Sequence, residues 1–283
     1  MALIGPDGMK KQSLEKDIDP LRETKENLQQ YILETIYTLL RNQDIPPTSL
    51  SKIGVAVPGV VQGKKAKQLW NLHIEEWDFS FLEKAYPHAH VQLRNDADAA
   101  TLAEKRYGAL QPYENALFLC LGTGIGGGCI QKGKLVLENT FEPGHMSIDK
   151  QGKKCACGSS GCFECYASMK YLKQRILEVF ELDTHMSSKD IYAWIDNRKD
   201  NPLVMHVIEE YIQNVARGIA NLCNLMAPDV ICIGGSFVYY KDILLPILEK
   251  TLRTESYVFH ANHMPLFVTA KLQNEAGILG SVL

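Results

Sequence analysis

Glu142-Pro-Gly-His145 and, further on, Cys155-Ala-Cys157-Gly158-Ser159-Ser160-Gly161-Cys162-Phe163-Glu164 carry the most information in this chain. Between residues 145 and 162 they gather one imidazole and three thiols. Gly158 and Gly161 sit where the backbone has to turn tightly to aim the sulfurs inward. His145, Cys155, Cys157 and Cys162 form a structural zinc set, because Zn²⁺ prefers tetrahedral nitrogen and sulfur ligands and needs no open position to hold a loop. The competing readings are unrelated buried cysteines, a core histidine, or a disulfide. A Cys-x-Cys pair does not easily reach disulfide geometry with itself, and a core histidine would not explain the three downstream thiols. Glu164 opens a helix directly after the last thiol, and Glu142 sits just before His145. The metal loop therefore carries carboxylates, which points to a binding site as well as a staple.

The chain has 283 residues, 46% of them hydrophobic and 22% charged, enough for a real core and against disorder. A formal net charge of −3 with no long basic run gives no indication of a nucleic-acid surface. No stretch approaches a membrane span and the start has no signal-like apolar segment, so a soluble protein is expected, with no membrane partner. Cys120, Cys129, Cys223 and Cys232 lie in apolar runs and read as small buried hydrophobes. Together with the thiol cluster they fit a reducing cytoplasm.

Working outward, strand–helix alternation predicts a parallel or mixed sheet covered by helices. Residues 1–5 and 10–18 read as strands around a Pro6-Asp7-Gly8 turn, and 24–42 as an amphipathic helix. Residues 53–57 and 90–94 read as strands, and 97–107 as a helix. The chain then changes character at residues 108–114, the expected boundary between two lobes. An apolar strand at 116–121 leads into a glycine loop, Gly122-Thr123-Gly124-Ile-Gly-Gly-Gly128, with a second strand from Cys129. A long helix over 203–226 feeds a buried strand, Asp229 to Ile233, that ends in Gly234-Gly235. The polar region 181–201 reads as a surface insertion in which Ser187 and Asp190 match a capping box. Expected domains are an N-terminal α/β lobe over 1–110, a C-terminal α/β lobe with the metal loop over 111–273, and a final helix over 274–283 that packs back on the first lobe.

The glycine loop resembles a phosphate cradle, since glycines let backbone N–H groups approach an anion and Thr123 adds a hydroxyl. It is neither a Walker loop nor a dinucleotide fingerprint, because no Gly-Lys-Ser/Thr follows and a strand stands where a helix is required. A simple glycine-rich bend is the alternative. Asn95-Asp96 at a strand end places a carboxylate at the carboxyl edge of a sheet, where ligands of open α/β folds bind. Asp96 is thus a candidate general base, against the alternative that the pair only caps a helix, with Asp98 as the cap itself. Glu142 and Glu164 read as acceptors for sugar hydroxyls or as solvated acids. Gly234-Gly235 would let a flat adenine ring lie against backbone, or would simply turn the chain. Trp70-Asn71 and Trp77 are candidates to line a pocket, equally readable as exposed loop residues.

Taken together, Glu142-Pro-Gly-His145 with Cys155 to Glu164 resembles the signature of the ROK family, the repressor, open-reading-frame and sugar-kinase group. Asn95-Asp96-Ala-Asp-Ala-Ala100 looks like that family's catalytic segment. Gly122 to Gly128 resembles its second phosphate motif, Ile233-Gly-Gly-Ser236 its adenosine motif, and Asn274 to Gly280 its final helix. The resemblance implies a two-lobed actin/hexokinase-like α/β fold with a zinc-binding loop and the active site between the lobes. It implies ATP-dependent phosphorylation of a hexose or N-acetylhexosamine, with Mg²⁺ accompanying ATP. Carried over by motif, Asp96 takes the proton from the attacking hydroxyl. Asn95, Asp96, Glu142, His145 and Glu164 hold the sugar. His145, Cys155, Cys157 and Cys162 bind structural zinc, and Gly122, Thr123, Gly124, Gly234 and Gly235 contact the nucleotide. A homodimer is compatible with the resemblance, since dimers are common in that family.

One departure stands out. The family begins with a strand ending in an Asp-x-Gly-Gly-Thr phosphate motif, and this sequence contains none. The reading frame upstream of Met1 is therefore expected to encode such a strand. A member that had lost it would keep sugar and zinc binding without the first phosphate grip, in a regulatory role. The sequence does not discriminate among glucose, N-acetylmannosamine and N-acetylglucosamine.

Overall fold

The alternation of strands and helices is realised in a computed structural model that describes residues 1–19, 22–69, 72–254 and 264–283. Trp70 and Asn71 lie outside the described residues. The chain divides into two compact units. One comprises residues 1–108, 137–140 and 274–283; the other comprises 109–136 and 141–273. Residues 137–140, assigned by sequence to the second lobe, therefore belong to the first unit.

In the first unit, β1 (Ala2–Ile4) and β2 (Lys10–Ser13) form an antiparallel hairpin, shorter than the 10–18 strand expected. Helix α1 (Lys25–Arg41) starts where the Thr24 hydroxyl accepts from Asn27 N–H at 3.2 Å. It buries Leu28, Leu39 and Leu40, the inner members of its apolar stripe. Strand β3 (Lys52–Val57) precedes a meander that the sequence did not disclose: β4 (Val60–Gln62), β5 (Lys65–Leu69) and β6 (Ile74–Asp78). Trp77 on β6 is a core residue and not an exposed loop residue. It is 6% exposed, with its ring centroid 4.6 Å from that of Phe79. After α2 (Phe81–Ala85), strand β7 (His90–Asn95) pairs in parallel with β3, Val57 opposite Asn95. Helix α3 (Asp96–Tyr107) follows without a linker, so β7 and α3 meet at Asn95-Asp96.

Helix α9 (Glu275–Ser281) packs on α3 with little clearance. A Cβ added at Gly280 would lie 1.7 Å from the Ala99 carbonyl oxygen, whereas one added at Gly277 would meet nothing within 4 Å. Gly280→Ala is therefore expected to lower unfolding stability by about 1–3 kcal/mol, while Gly277→Ala is neutral or slightly stabilising. Paired urea unfolding curves check this. A Gly280→Ala midpoint equal to that of wild type would show that α9 does not approach α3 so closely.

The second unit is built on a five-stranded sheet in the order β10-β9-β8-β11-β12. The strands are β8 (Ala116–Leu121), β9 (Ile125–Gln131), β10 (Lys134–Val136), β11 (Val230–Gly234) and β12 (Leu266–Thr269). β8, β11 and β12 run parallel, and β9 is antiparallel to β8. The helices are α4 (Glu164–Ala167), α5 (Met169–Val179), α6 (Ser188–Asp196), α7 (Pro202–Met226) and α8 (Lys241–Thr254). Asn201 caps α7 and Pro202 opens it, as suits a residue whose missing N–H costs nothing there. The capping box at Ser187 and Asp190 is formed, each side chain accepting from the other's backbone N–H. The region around it is not merely a surface insertion. Ile191 and Ile195 of α6 are buried in the core of this unit, because the helix turns its short apolar face onto its neighbours.

Cys129, Cys223 and Cys232 are buried, and Cys120 is half-buried. Burial pushes the Cys129 thiol up to about 11 and the Cys223 thiol up to about 12. Among the described residues no helix is long and apolar enough to cross a membrane.

Candidate functional site

The candidate residues fall into two groups, one in each unit. In the first unit the junction of β7 and α3 is fixed by Asn95. Its Oδ1 accepts from Ala97 N–H at 2.9 Å and Asp98 N–H at 3.3 Å, so Asn95, not Asp98, is the helix cap. Its Nδ2 donates to the Gly59 carbonyl at 3.1 Å, and its backbone N–H donates to Asn139 Oδ1 at 3.0 Å. One amide hydrogen of Asn95 is left over from these bonds for a ligand. Asp98 is buried, and its carboxylate accepts from Asn139 N–H, which ties the 137–140 stretch to α3. Arg94 joins the same arrangement through a 2.7 Å ion pair to Glu138. Sequence reasoning missed Gly59, Glu138 and Asn139. Nothing local signals them, since Asn139 lies 44 residues from Asn95.

Asp96 is the first residue of α3, and its Oδ1 accepts from Ala97 N–H at 2.9 Å. Asp96 is exposed to water, yet the protein around its carboxyl is dense. The density governs solvation of the charge. Loss of solvation raises the carboxyl above its ordinary value of 3.8, and the Ala97 N–H opposes this only in part. A raised, positioned carboxyl at the end of a strand is suited to accept a proton.

In the second unit, β8 ends at Leu121 and β9 begins at Ile125, its register partner. The glycine loop is therefore only Gly122, Thr123 and Gly124. Gly126, Gly127 and Gly128 belong to β9, paired with Cys120, Leu119 and Phe118. Their glycine identity answers to packing: a Cβ at Gly127 would lie 2.7 Å from the Phe118 carbonyl oxygen and 2.8 Å from the Pro143 ring. In the short turn, Gly122 N–H donates to the Gly124 carbonyl at 3.0 Å. The exposed Thr123 and the Gly124 N–H are not used by that bond. Gly234 stands opposite Cys120 in the parallel ladder, so Gly234-Gly235 and the turn emerge side by side at the carboxyl edge of the sheet. Gly235 has φ +72°, and a Cβ there would lie 2.5 Å from the Leu121 carbonyl oxygen. The five residues read as nucleotide contacts are thus brought together.

The start of the metal loop packs on β9. Pro143–His145 form a short 3₁₀ turn, and a Cβ at Gly144 would lie 2.1 Å from the Ile125 carbonyl oxygen. Glu142 precedes the turn and accepts from His145 N–H at 3.1 Å through its carbonyl. The chain then makes a knuckle. Cys155 N–H donates to Ser159 O at 2.9 Å and Gly158 N–H to Cys155 O at 3.0 Å, with φ +90° at Gly158 and +73° at Gly161. Phe163 N–H donates to Met146 O at 2.8 Å, and the Phe163 ring is fully buried beside Gly218 of α7. Tyr166 braces the loop, accepting from Lys153 N–H at 2.6 Å and donating to Asp149 Oδ2 at 3.3 Å.

This knuckle brings His145, Cys155, Cys157 and Cys162 together, with one ligand atom from each lying within 4.8 Å of the others. Cys157 and Cys162 sulfurs are 3.6 Å apart, and Cys155 Sγ is 3.7 Å from His145 Nδ1. A zinc tetrahedron with Zn–S near 2.3 Å has sulfur–sulfur edges of about 3.8 Å. The donor set therefore fits zinc in kind and in spacing, and the thiols are too far apart for a disulfide. Burial raises the Cys155 and Cys162 thiols, and the Ser159 N–H lowers that of Cys157. A cation among them would hold all three as thiolates. Glu164 borders the set: Cys155 Sγ–H donates to its Oε1 at 3.3 Å, and His145 Nδ1 is 3.7 Å from that oxygen.

The ROK family profile matches residues 2–283. The chain belongs to the ROK family. ROK relatives of known name include a glucokinase of Thermotoga maritima, 26% identical over 304 aligned positions, spanning 99% of this chain and 92% of that one. A ROK family glucokinase of Streptomyces griseus, solved with glucose and AMPPNP, superposes with a TM-score of 0.79 at 25% identity, covering 99% of this chain and 93% of that one. A ROK transcriptional regulator, a homologue of the E. coli MLC protein, superposes at 0.82 with 26% identity, covering 99% of this chain and 73% of that one. The α/β fold implied by the ROK resemblance is thus the fold of solved ROK kinases, and the four-residue cluster is of the kind a zinc ion takes. The relatives divide between kinases and regulators, so ROK membership alone does not fix the activity.

Proposed function

We propose that this protein is an ATP-dependent kinase of a hexose or N-acetylhexosamine, of the glucokinase or N-acetylmannosamine kinase type. Asp96 carries the reading: a carboxylate with a raised pKa, held at a strand–helix junction whose cap is supplied by its neighbour. In this role Asp96 accepts the proton of the attacking sugar hydroxyl. Asn95 offers its remaining amide hydrogen to the sugar, and Glu142, His145 and Glu164 take further hydroxyls. Zinc on His145, Cys155, Cys157 and Cys162 holds the loop that presents Glu164. Gly122 and Thr123 of the turn and Gly234-Gly235 receive the nucleotide, with Thr123 offering its hydroxyl. Mg²⁺-ATP, when bound, supplies the transferable phosphoryl group and offsets its developing charge. The protein's part is alignment and one proton acceptor, which is sufficient for this reaction class.

A coupled assay of ADP release across glucose, N-acetylglucosamine and N-acetylmannosamine tests the reading, with calorimetric binding of the same sugars alongside. Sugar-stimulated turnover is expected. Sugar binding without turnover would instead support a non-catalytic regulatory homologue, the reading favoured by the regulator that superposes at a TM-score of 0.82. Within the kinase reading, Glu164→Gln is expected to raise the sugar KM by about tenfold while changing kcat at saturation far less, since a hydroxyl acceptor serves ground state and transition state alike.

A further inference from the structure

Gly124 is not required by its backbone, because its φ lies outside the left-handed region where glycine is needed. Nor is it required by core packing. Among the described residues beyond its chain neighbours, a Cβ at this position would come within 4 Å of one side chain, with Glu164 Oε2 at 2.7 Å and the Glu164 carboxyl carbon at 3.9 Å. The other oxygen of that carboxylate faces the metal set, 3.3 Å from Cys155 Sγ and 3.7 Å from His145 Nδ1. The Glu164 carboxylate thus occupies the space between the glycine turn and the His-Cys cluster. Gly122 differs, since a Cβ there would meet nothing within 4 Å.

We propose that Gly124 is a positioning residue for the Glu164 carboxylate and not a phosphate contact. Its missing side chain leaves the space that lets the carboxylate stand where it can take a sugar hydroxyl, a role that rests on the kinase reading above. A methyl group at 124 would displace the carboxylate by about 1 Å, the difference between 2.7 Å and an ordinary contact. Glu164 is long enough to swing aside, so the fold and the four metal ligands stay in place while the sugar acceptor is lost. The turn that receives the nucleotide and the carboxylate that holds the sugar are thereby in direct steric contact.

The test uses Gly124→Ala, Glu164→Asp and the double variant. The crystal structure of Gly124→Ala should show the carboxylate displaced, with zinc content and melting temperature as in wild type. Calorimetric titration with glucose, N-acetylglucosamine and N-acetylmannosamine should show sugar affinity reduced about tenfold or more, as expected for a lost hydrogen bond to a charged group. ATP affinity should be unchanged. In the Glu164→Asp background, whose shorter carboxylate clears the methyl group, Gly124→Ala should cost no further sugar affinity. An undisplaced carboxylate beside Ala at 124, or a loss that falls on ATP and not on sugar, overturns the proposal. Should no sugar bind even the wild-type protein, the kinase reading fails, and the crystal structure with the ATP titration still decides the role of Gly124.

Discussion

Asp96→Asn is expected to lower sugar-dependent turnover by about 10²–10⁴-fold, the usual contribution of a positioned general base. The substitution preserves shape, and an amide oxygen still accepts from Ala97 N–H as the carboxylate does at 2.9 Å. The helix cap is untouched, because Asn95 and not Asp96 supplies it. Melting temperature should therefore stay near that of wild type and sugar affinity should change little, so the loss falls on kcat. The pH profile gives an independent check. Asp96 works only when ionised, and loss of solvation places its carboxyl above the ordinary 3.8. Activity should thus fall, as pH is lowered, at a higher pH than an unperturbed aspartate would allow, and this limb should be missing from the residual activity of Asp96→Asn. Steady-state kinetics from acid to neutral pH decides the matter. Near-normal turnover in Asp96→Asn would leave the Asn95-Asp96 pair with a capping role only.

The convergence of His145, Cys155, Cys157 and Cys162 was legible in the sequence because all four lie between residues 145 and 162, and local turn glycines predict it. The strand–helix junction at Asn95-Asp96 was legible for the same reason. What escaped depends on residues distant in the chain. Gly126 to Gly128 read as loop by composition, yet they pair along β8, and the ring of Pro143 and the Phe118 carbonyl explain the glycine at 127. Either Asn95 or Asp98 satisfies the sequence rule for a cap. The choice was made by Gly59 and Asn139, which hold Asn95 in place and occupy Asp98. Trp77 read as a pocket-lining or an exposed loop residue, and the meander of β4, β5 and β6 places it on a strand in a core. Residues 181–201 looked like an insertion because α6 fully buries Ile191 and Ile195 while Tyr192 and Trp194 are only partly buried against the core. A pattern so sparse is outweighed by its polar surroundings.

Zinc removal should affect this protein more than any single packing change. One tightly held zinc per chain is expected, and Cys157→Ala should abolish it. Apparent zinc binding free energies of about 10–16 kcal/mol in small zinc domains are as large as the whole stability of a typical domain. The effect should nonetheless be local. Phe163, Ile219 and the rest of the second unit's core are buried against one another through apolar contacts. The loop from Ser147 to Gly161, by contrast, is held by polar contacts: backbone bonds of its own, among them Ile148 N–H to Gly161 O and Gly161 N–H to Lys153 O at 2.8 Å, the bonds of Tyr166 to Lys153 and Asp149, and the Lys153 ammonium over the Tyr166 and Tyr171 rings. Without zinc, raised thiols at Cys155 and Cys162 return to their protonated forms and nothing draws the sulfurs together. The loop should open, freeing the backbone beside the already exposed Lys153 and Lys154 for trypsin, and Glu164 should lose the neighbours that orient it. Elemental analysis of protein purified under reducing, chelator-free conditions gives the stoichiometry. Limited trypsin digestion of wild-type, chelator-treated and Cys157→Ala protein, with peptide mapping, locates the damage. Cleavage after Lys153 or Lys154 should be fast in the last two and slow in the first, and sugar affinity should fall in parallel. Metal-free protein that resists trypsin as wild type does would mean that the loop holds its shape through its hydrogen bonds alone, and the His-Cys set would lose its structural role.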